Sequence, residues 1–321
     1  MKKGSQSPSG ATAKEVITMK VFVTGATGYI GGSVAQRLVA LGHHVTGLVR
    51  SEDKIPALQQ RGIAPVPGTL DDAETLVRAA QQADAVIHTA SADHPGSVVM
   101  LVSALERTGK TLVHTTGSGI VADEAAGEYA GKTAVADDTY FEPVPFRRPR
   151  VAMNHFVRQA AIDKGVRSIV ICPAMIYGKG SGLQPDSDQL PKLIALSKQL
   201  GAGAYFGKGL NRYSNVHIDD LVDLYLLVLD KAPGGSFFFA ENGAASFKEI
   251  AELISQSLGF AGKTISLNSD DLFRQYGDAG RYGITSNSLV RAVNARRLGW
   301  TPIAPSLAEY FASCSQSGNN A

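Results

Sequence analysis

The sequence predicts an α/β fold, a doubly wound parallel sheet followed by a small mixed α/β C-terminal lobe. Three observations predict it. Short apolar runs alternate with helical patterns through the first half, a glycine-rich turn joins the first run to the first helix, and the regular alternation fades beyond Tyr177.

Taken in order, Lys20–Thr24 reads as a strand and residues 30–41 as a helix closed by Gly42. Residues 45–49 form the next strand, and a helical stretch covers about 54–60. Ala85–His88 is another apolar strand, 98–106 a helix ending near Gly109, and 112–115 a strand. Strands spaced by helices at this interval imply right-handed βαβ units and a parallel sheet. From Gly117 to Pro149 the pattern breaks into a Gly-, Asp- and Pro-rich connection, and connections this long in compact domains are often functional. A helix over about 151–164 and a strand over 168–172 resume the sheet. Later helices fall near 190–199, 221–229 and 247–258. The division expected is a polar tail at 1–18, a nucleotide-binding domain at 19–177, and a lobe at 178–321 from which some segments return to the sheet.

Composition narrows the function classes. The 321 residues are 44% hydrophobic and 19% charged, as in ordinary globular proteins. A net charge of +2 offers no electrostatic footprint for nucleic acid or an anionic membrane. No apolar run is long enough to span a bilayer. The N-terminal residues carry Lys2 and Lys3 without a following apolar stretch, unlike a signal peptide. Two distant cysteines, Cys172 and Cys314, suit a reducing compartment, and a cytoplasmic location is expected. No His, Cys, Asp or Glu cluster has metal-ligand spacing.

The sharpest local signal is Thr24-Gly25-Ala26-Thr27-Gly28-Tyr29-Ile30-Gly31, at the first strand–helix junction. Gly25 permits the tight turn, Gly28 lets the backbone approach a pyrophosphate, and Gly31 lets the helix pack closely. The helix N-terminus then presents free N–H groups to phosphate. This is a Rossmann-type dinucleotide site. Its second strand ends in Arg50, where an NAD site usually carries an acid for the ribose 2′-hydroxyl. A guanidinium there favours a 2′-phosphate, so the cofactor expected is NADP(H).

Further segments appear in a familiar order: Thr89-Ala90-Ser91, the LVHTTG strand end, CPAMIYG at 172–178, VHIDDL at 216–221 and LGW at 298–300. With the glycine loop they resemble the extended and atypical short-chain dehydrogenases, the epimerase/dehydratase-like group, over roughly residues 19–312. The resemblance implies a cofactor lying across the carboxyl ends of the strands. Leu70 would flank the adenine, Thr89 and Ala90 the nicotinamide ribose, and Pro173 with Tyr177 the nicotinamide. Thr69 departs from the aspartate usual at the adenine.

That family works with a tyrosine and a lysine four residues later, helped by an upstream Ser or Thr. Here Arg150 occupies the tyrosine place and Asn154 the lysine place. Arginine cannot donate a proton near neutrality, but it can hold an anionic substrate or an oxyanion. Asn154 can hydrogen-bond a cofactor ribose. Thr116 is the upstream hydroxyl, with Ser118 its alternative. Asp93, just after the fourth strand, is a candidate acid if an apolar pocket raises its pKa, against a plain capping role. Tyr177 is a candidate wall or donor. His114 and His155 read as structural, and Asp219 and Asp220 as helix-start residues that join the lobes.

Three functions remain. The first is an NADP(H)-dependent reductase or dehydrogenase acting on a small carbonyl or alcohol, with a nonstandard proton donor. The second is a catalytically silent NADP(H) sensor with a protein partner, and the third a nucleotide-sugar epimerase or dehydratase. A homodimer is expected from the family.

Overall fold

The protein is described by a computed structural model over residues 18–318, so nearly all of the 1–18 tail lies outside the described residues. Seven strands make one parallel sheet: β1 (Lys20–Thr24), β2 (His44–Val49), β3 (Ala64–Pro67), β4 (Ala85–His88), β5 (Thr111–Thr115), β6 (Arg167–Pro173) and β7 (Phe237–Ala240). Their order across the sheet is β7-β6-β5-β4-β1-β2-β3. The main helices are α1 (Tyr29–Ala40), α2 (Ile55–Gln60), α3 (Ala73–Gln82), α4 (Pro95–Ala104), α5 (Arg148–Asp163), α6 (Gln189–Leu200), α7 (Ile218–Lys231) and α8 (Phe247–Ser257).

Every residue of β4 and β5 is buried, because helices cover both faces of the sheet. α1 packs against α7, while α3 packs against α4 and α4 against α5. Right-handed crossovers explain the two layers. The chain steps outward from β1 to β3 and then jumps back to β4 on the other side of β1, which moves the later helices to the opposite face.

In the sheet domain, β3, α3 and β7 have no counterpart in the sequence expectation. β3 reads Ala-Pro-Val-Pro, a poor strand sequence, and it lies at the sheet edge, where a proline's missing N–H is tolerated. α3 starts at Asp72, whose carboxylate accepts the Thr75 N–H at 3.1 Å, and it buries Leu76, Ala79 and Ala80. The helix expected at 98–106 begins earlier, at Pro95, because the His94 side chain caps it by accepting the Ser97 N–H at 3.1 Å. β7 is a Phe-Phe-Phe-Ala run that the chain returns to the far edge beside β6.

The 117–149 connection is pinned at several points. It contains short 3-10 turns at Ser118–Val121 and Pro145–Arg147, and its Val135–Ala136 pairs with Val290–Arg291. Asp137 fastens it further: its carboxylate accepts N–H bonds from Phe239 on β7 and from Val293 and Asn294.

In the lobe, Arg212–His217 pairs with Met175–Tyr177 and with Ala244–Ser246, and Gly203–Phe206 pairs with Thr264–Leu267. A second core joins Tyr177, Leu190, Tyr213, Phe247, Ile254 and Phe311. Asp220 fastens the start of α7 to the C-terminal segment: its carboxylate accepts the Ile303 and Ala304 N–H groups, and its carbonyl accepts the indole N–H of Trp300. α8 is fixed by a reciprocal cap between Ser246 and Glu249. Among the described residues no helix is long and apolar enough to cross a membrane.

Candidate active site

A cleft of about 860 Å³ opens along the carboxyl ends of the strands, where the sheet order reverses between β1 and β4. Following the strand order, its lining runs from Arg50 and Leu70 after β2 and β3, through Gly25, Thr27, Gly28, Tyr29, Ile30 and Gly31 after β1 and Thr89 and Ala90 after β4, to Thr116 after β5 and Pro173 at the end of β6, with Arg150 also in the lining. The tertiary structure therefore brings together residues as far apart in sequence as Gly25 and Pro173.

The glycine loop is shaped for a close-lying ligand. Gly25 has φ +78, and a Cβ there would meet the Ala90 backbone N at 2.9 Å. A Cβ at Gly31 would stand 2.4 Å from the Gly25 carbonyl oxygen, so only hydrogen lets α1 sit against the loop. Gly28 precedes α1 without a side chain to cap it, and the first turn holds no acid. The N–H groups and positive end of the helix thus face the cleft unneutralised. Thr89 is spent on structure, donating its hydroxyl to the Thr24 carbonyl at 2.7 Å. Tyr29 donates to the Gly178 carbonyl at 2.8 Å, tying the loop to the lobe. Arg50 is exposed at the cleft rim and has no ion pair or hydrogen bond among the described residues.

At the other end, the Arg150 guanidinium grips Asp93. Its Nε–H donates to Oδ1 at 2.8 Å and its Nη2–H to Oδ2. The arginine side chain is 18% exposed and the aspartate 64%. The hydrogen bond from Arg150 holds the Asp93 carboxyl below its ordinary range, with burial opposing it. This reverses the expectation of a raised pKa: Asp93 is a carboxylate bound to a cation, and it does not sit in an apolar pocket as an acid. Arg150 keeps Nη1 on the side of Gly117, where a Cβ would lie 3.9 Å away.

Thr116 is buried on the cleft wall, and its Oγ1 has no partner among the described residues. Asn154, one helical turn beyond Arg150, is also buried with both amide atoms unpartnered, although it lies behind the cleft lining. A donor and acceptor left unsatisfied in a buried place is expensive unless something is bound there. The Thr116 hydroxyl on the cleft wall, the open α1 terminus and the side-chain-free cradle fit a dinucleotide.

Tyr177 is elsewhere. It packs edge-on against His217 in the lobe core, and its hydroxyl donates to the Pro305 carbonyl at 2.7 Å. Burial holds the phenol above its ordinary pKa. The residue is a wall of the lobe core: it is not among the residues that line the cleft, and its hydroxyl is spent on Pro305. Ser118 lines the cleft, but Ser288 donates its hydroxyl to the Ser118 carbonyl at 2.9 Å, and the two hydroxyls lie 2.8 Å apart. His155 is exposed and His114 fully buried. Arg147 and Tyr213 also line the cleft, and sequence reasoning missed both. A third arginine beside Arg150 at a helix start was the available signal for the first. Tyr213 had none, since it reads as one more strand aromatic. Among the described residues no group of His, Cys, Asp or Glu could hold a metal.

Fold and cleft together are those of a Rossmann protein built around a nicotinamide dinucleotide site. The chain belongs to the NAD dependent epimerase/dehydratase family, which it matches over residues 21–238. It is similar to the uncharacterized protein C2A9.02 of Schizosaccharomyces pombe, 32% identical over 92% of this chain and 99% of the relative. It is 30% identical to an Acremonium protein called Oxidase ucsJ, over 91% of this chain and 95% of that one. A 4-hydroxy-2-methyl-3-oxo-4-farnesyl-3,4-dihydroquinoline-1-oxide ketoreductase of Stigmatella aurantiaca is 28% identical over 70% of this chain and 69% of its own. In fold the chain resembles the UDP-glucose 4-epimerase of Thermotoga maritima, with TM-score 0.75 and 18% identity, covering 94% of this chain and 99% of that one.

Proposed function

We propose that the protein is an NADP(H)-dependent reductase or dehydrogenase that acts on a small carbonyl or alcohol, with Arg150 in place of the usual tyrosine. The observation that carries this reading is Arg150, which lines the cleft with Thr116 and is held from outside the lining by Asp93. A nicotinamide bound there supplies a hydride donor or acceptor.

Asp93 fixes the guanidinium through Nε and Nη2, which leaves Nη1 to donate a hydrogen bond to the substrate oxygen. Negative charge that develops on the oxygen of a carbonyl being reduced there would be stabilised by this preorganised cation. The Thr116 hydroxyl is a second donor to the oxygen, and it passes on a proton from solvent to complete the alcohol. Asn154, expected at the cofactor ribose, lies behind the cleft lining and is given no contact with the cofactor. Arg50 at the cleft rim would hold a 2′-phosphate, so the cofactor proposed is NADP(H).

Support for the carbonyl substrate comes from the similarity to a ketoreductase, and for the cofactor class from the family itself. A second reading, a silent NADP(H) sensor, is favoured by the presence of Arg150 and Asn154 where a tyrosine and a lysine would titrate. The test is NADPH oxidation by absorbance against a panel of aldehydes and ketones, with cofactor binding measured by fluorescence on the same sample. Turnover supports the reductase. Tight binding of NADPH with no turnover on any compound supports the sensor.

A further inference from the structure

We infer that the substrate carries a carboxylate or similar anionic group, and that Arg147 binds it. The inference rests on the reading of this cleft as a substrate site.

Three arginines, Arg147, Arg148 and Arg150, crowd the start of α5, whose first turn has no acid and no side-chain cap. A helix N-terminus already carries partial positive charge and favours acids, so cations there oppose the local field. Such a conflict persists where function requires it. Two of the three are neutralised within the protein: Arg150 by Asp93, and Arg148 by Glu142 at 3.1 Å. Arg147 is the exception. Among the described residues it has no carboxylate at ion-pair distance, and its one hydrogen bond runs from Nη2 to the Tyr282 carbonyl at 2.9 Å. Its Nε is buried and without a partner. The Phe146 ring lies 4.7 Å beneath the guanidinium and holds it in place. Burial and the neighbouring Arg150 charge both disfavour its cationic form. Tyr213 and Asp93 offset that load only in part, and no carboxylate among the described residues touches the guanidinium, so the cleft it lines is where a ligand would bring a direct counter-charge.

The geometry also limits the ligand. Arg147 and Arg150 are three residues apart at one helix start, so their side chains are neighbours. An anion on Arg147 and a carbonyl oxygen on Arg150 therefore belong to one short molecule, with a few atoms between the two groups. The opposing wall is backbone: a Cβ at Gly119 would stand 3.5 Å from Arg147 Nη2, so glycine leaves that side open. A planar fork of N–H donors matches a carboxylate best, which makes a short oxo acid the substrate class.

The experiment titrates the full chain, with and without NADPH, using acetoacetate, its methyl ester, dihydroxyacetone phosphate and dihydroxyacetone, followed by calorimetry. The anionic member of at least one pair is expected to bind about tenfold or more tightly than its neutral partner, and which pair does so separates carboxylate from phosphate. Arg147→Gln should erase that preference and leave NADPH affinity unchanged. Equal binding within both pairs would overturn the inference. So would a loss of NADPH affinity in Arg147→Gln, since the counter-charge would then be the cofactor's. Anion preference without NADPH oxidation would sustain the anion site while refuting the reductase.

Discussion

The carboxylate of Asp93 and the guanidinium of Arg150, 57 residues apart in sequence, meet through two hydrogen bonds at the edge of the cleft that Arg150 lines. Neither residue has its expected solitary role. The pair works as a unit, with aspartate orienting arginine toward the site, and its parts should be strongly coupled.

Replacing Arg150 by Met should lower kcat/KM by about 100-fold or more, the typical cost of one oxyanion donor. Asp93→Asn should cost about tenfold, because the arginine remains but is less well held. The double variant should be little worse than Arg150→Met alone. Additive losses in NADPH oxidation would mean that the two act independently.

The lowered pKa of Asp93 sets the pH window. Its folded value lies below its unfolded one, so the pair is intact above the ordinary carboxylate range, around pH 4. It is lost only as pH falls through the depressed value. The pH profile of kcat/KM should accordingly show no Asp93 limb between pH 5 and 8. A limb in that range that disappears in Asp93→Asn would contradict the ion-paired carboxylate.

Arg50→Glu should weaken NADPH binding by about 10- to 100-fold, or about 1.4 to 2.8 kcal/mol, and improve NADH binding. Fluorescence titration with each cofactor reads the change. An unaltered NADPH/NADH ratio would remove Arg50 from the cofactor site.

Two histidines make acid stability predictable. Burial drops His88 to about 4 and His114 to about 3, and each is neutral in the folded protein at neutral pH. The unfolded chain takes up these protons near pH 6.5, so stability is full above that value and falls as pH drops toward the folded pKa. Between pH 6.5 and 5 each histidine should cost about 2 kcal/mol. His114→Leu, which removes two unpartnered buried nitrogens, should flatten the fall in Tm over this interval. An unchanged slope would exclude His114 as a source.

Tyr177→Phe separates packing from chemistry. It should lower stability by about 1 kcal/mol through the lost bond to the Pro305 carbonyl, and leave kcat unchanged. A drop in kcat with Tm intact would return Tyr177 to the catalytic group.

The alternating strands, the glycine loop and the helix that follows were legible because each depends on neighbours in sequence. Gly25, Gly28 and Gly31 must be small for reasons contained within one turn and one helix, and the arginine ending β2 is read from its place in the same unit. β3 was invisible, since its two prolines disfavour a strand and only its edge position tolerates them. The Tyr177 role failed for a related reason: proximity in sequence to Pro173 says nothing about the direction in which the next strand turns its side chains.

What the sequence determined by itself was the nucleotide-binding half, its cofactor loop and the absence of a tyrosine–lysine pair, because short-range sterics and backbone hydrogen bonding set these. Tertiary structure alone decided the electrostatics of the site. Whether a carboxyl is an acid or a bound counter-ion, and whether a guanidinium is neutralised, depends on charges and burial within a few ångströms. The fold placed Arg150 against Asp93 and Arg148 against Glu142, and it placed Arg147 in contact with no carboxylate among the described residues.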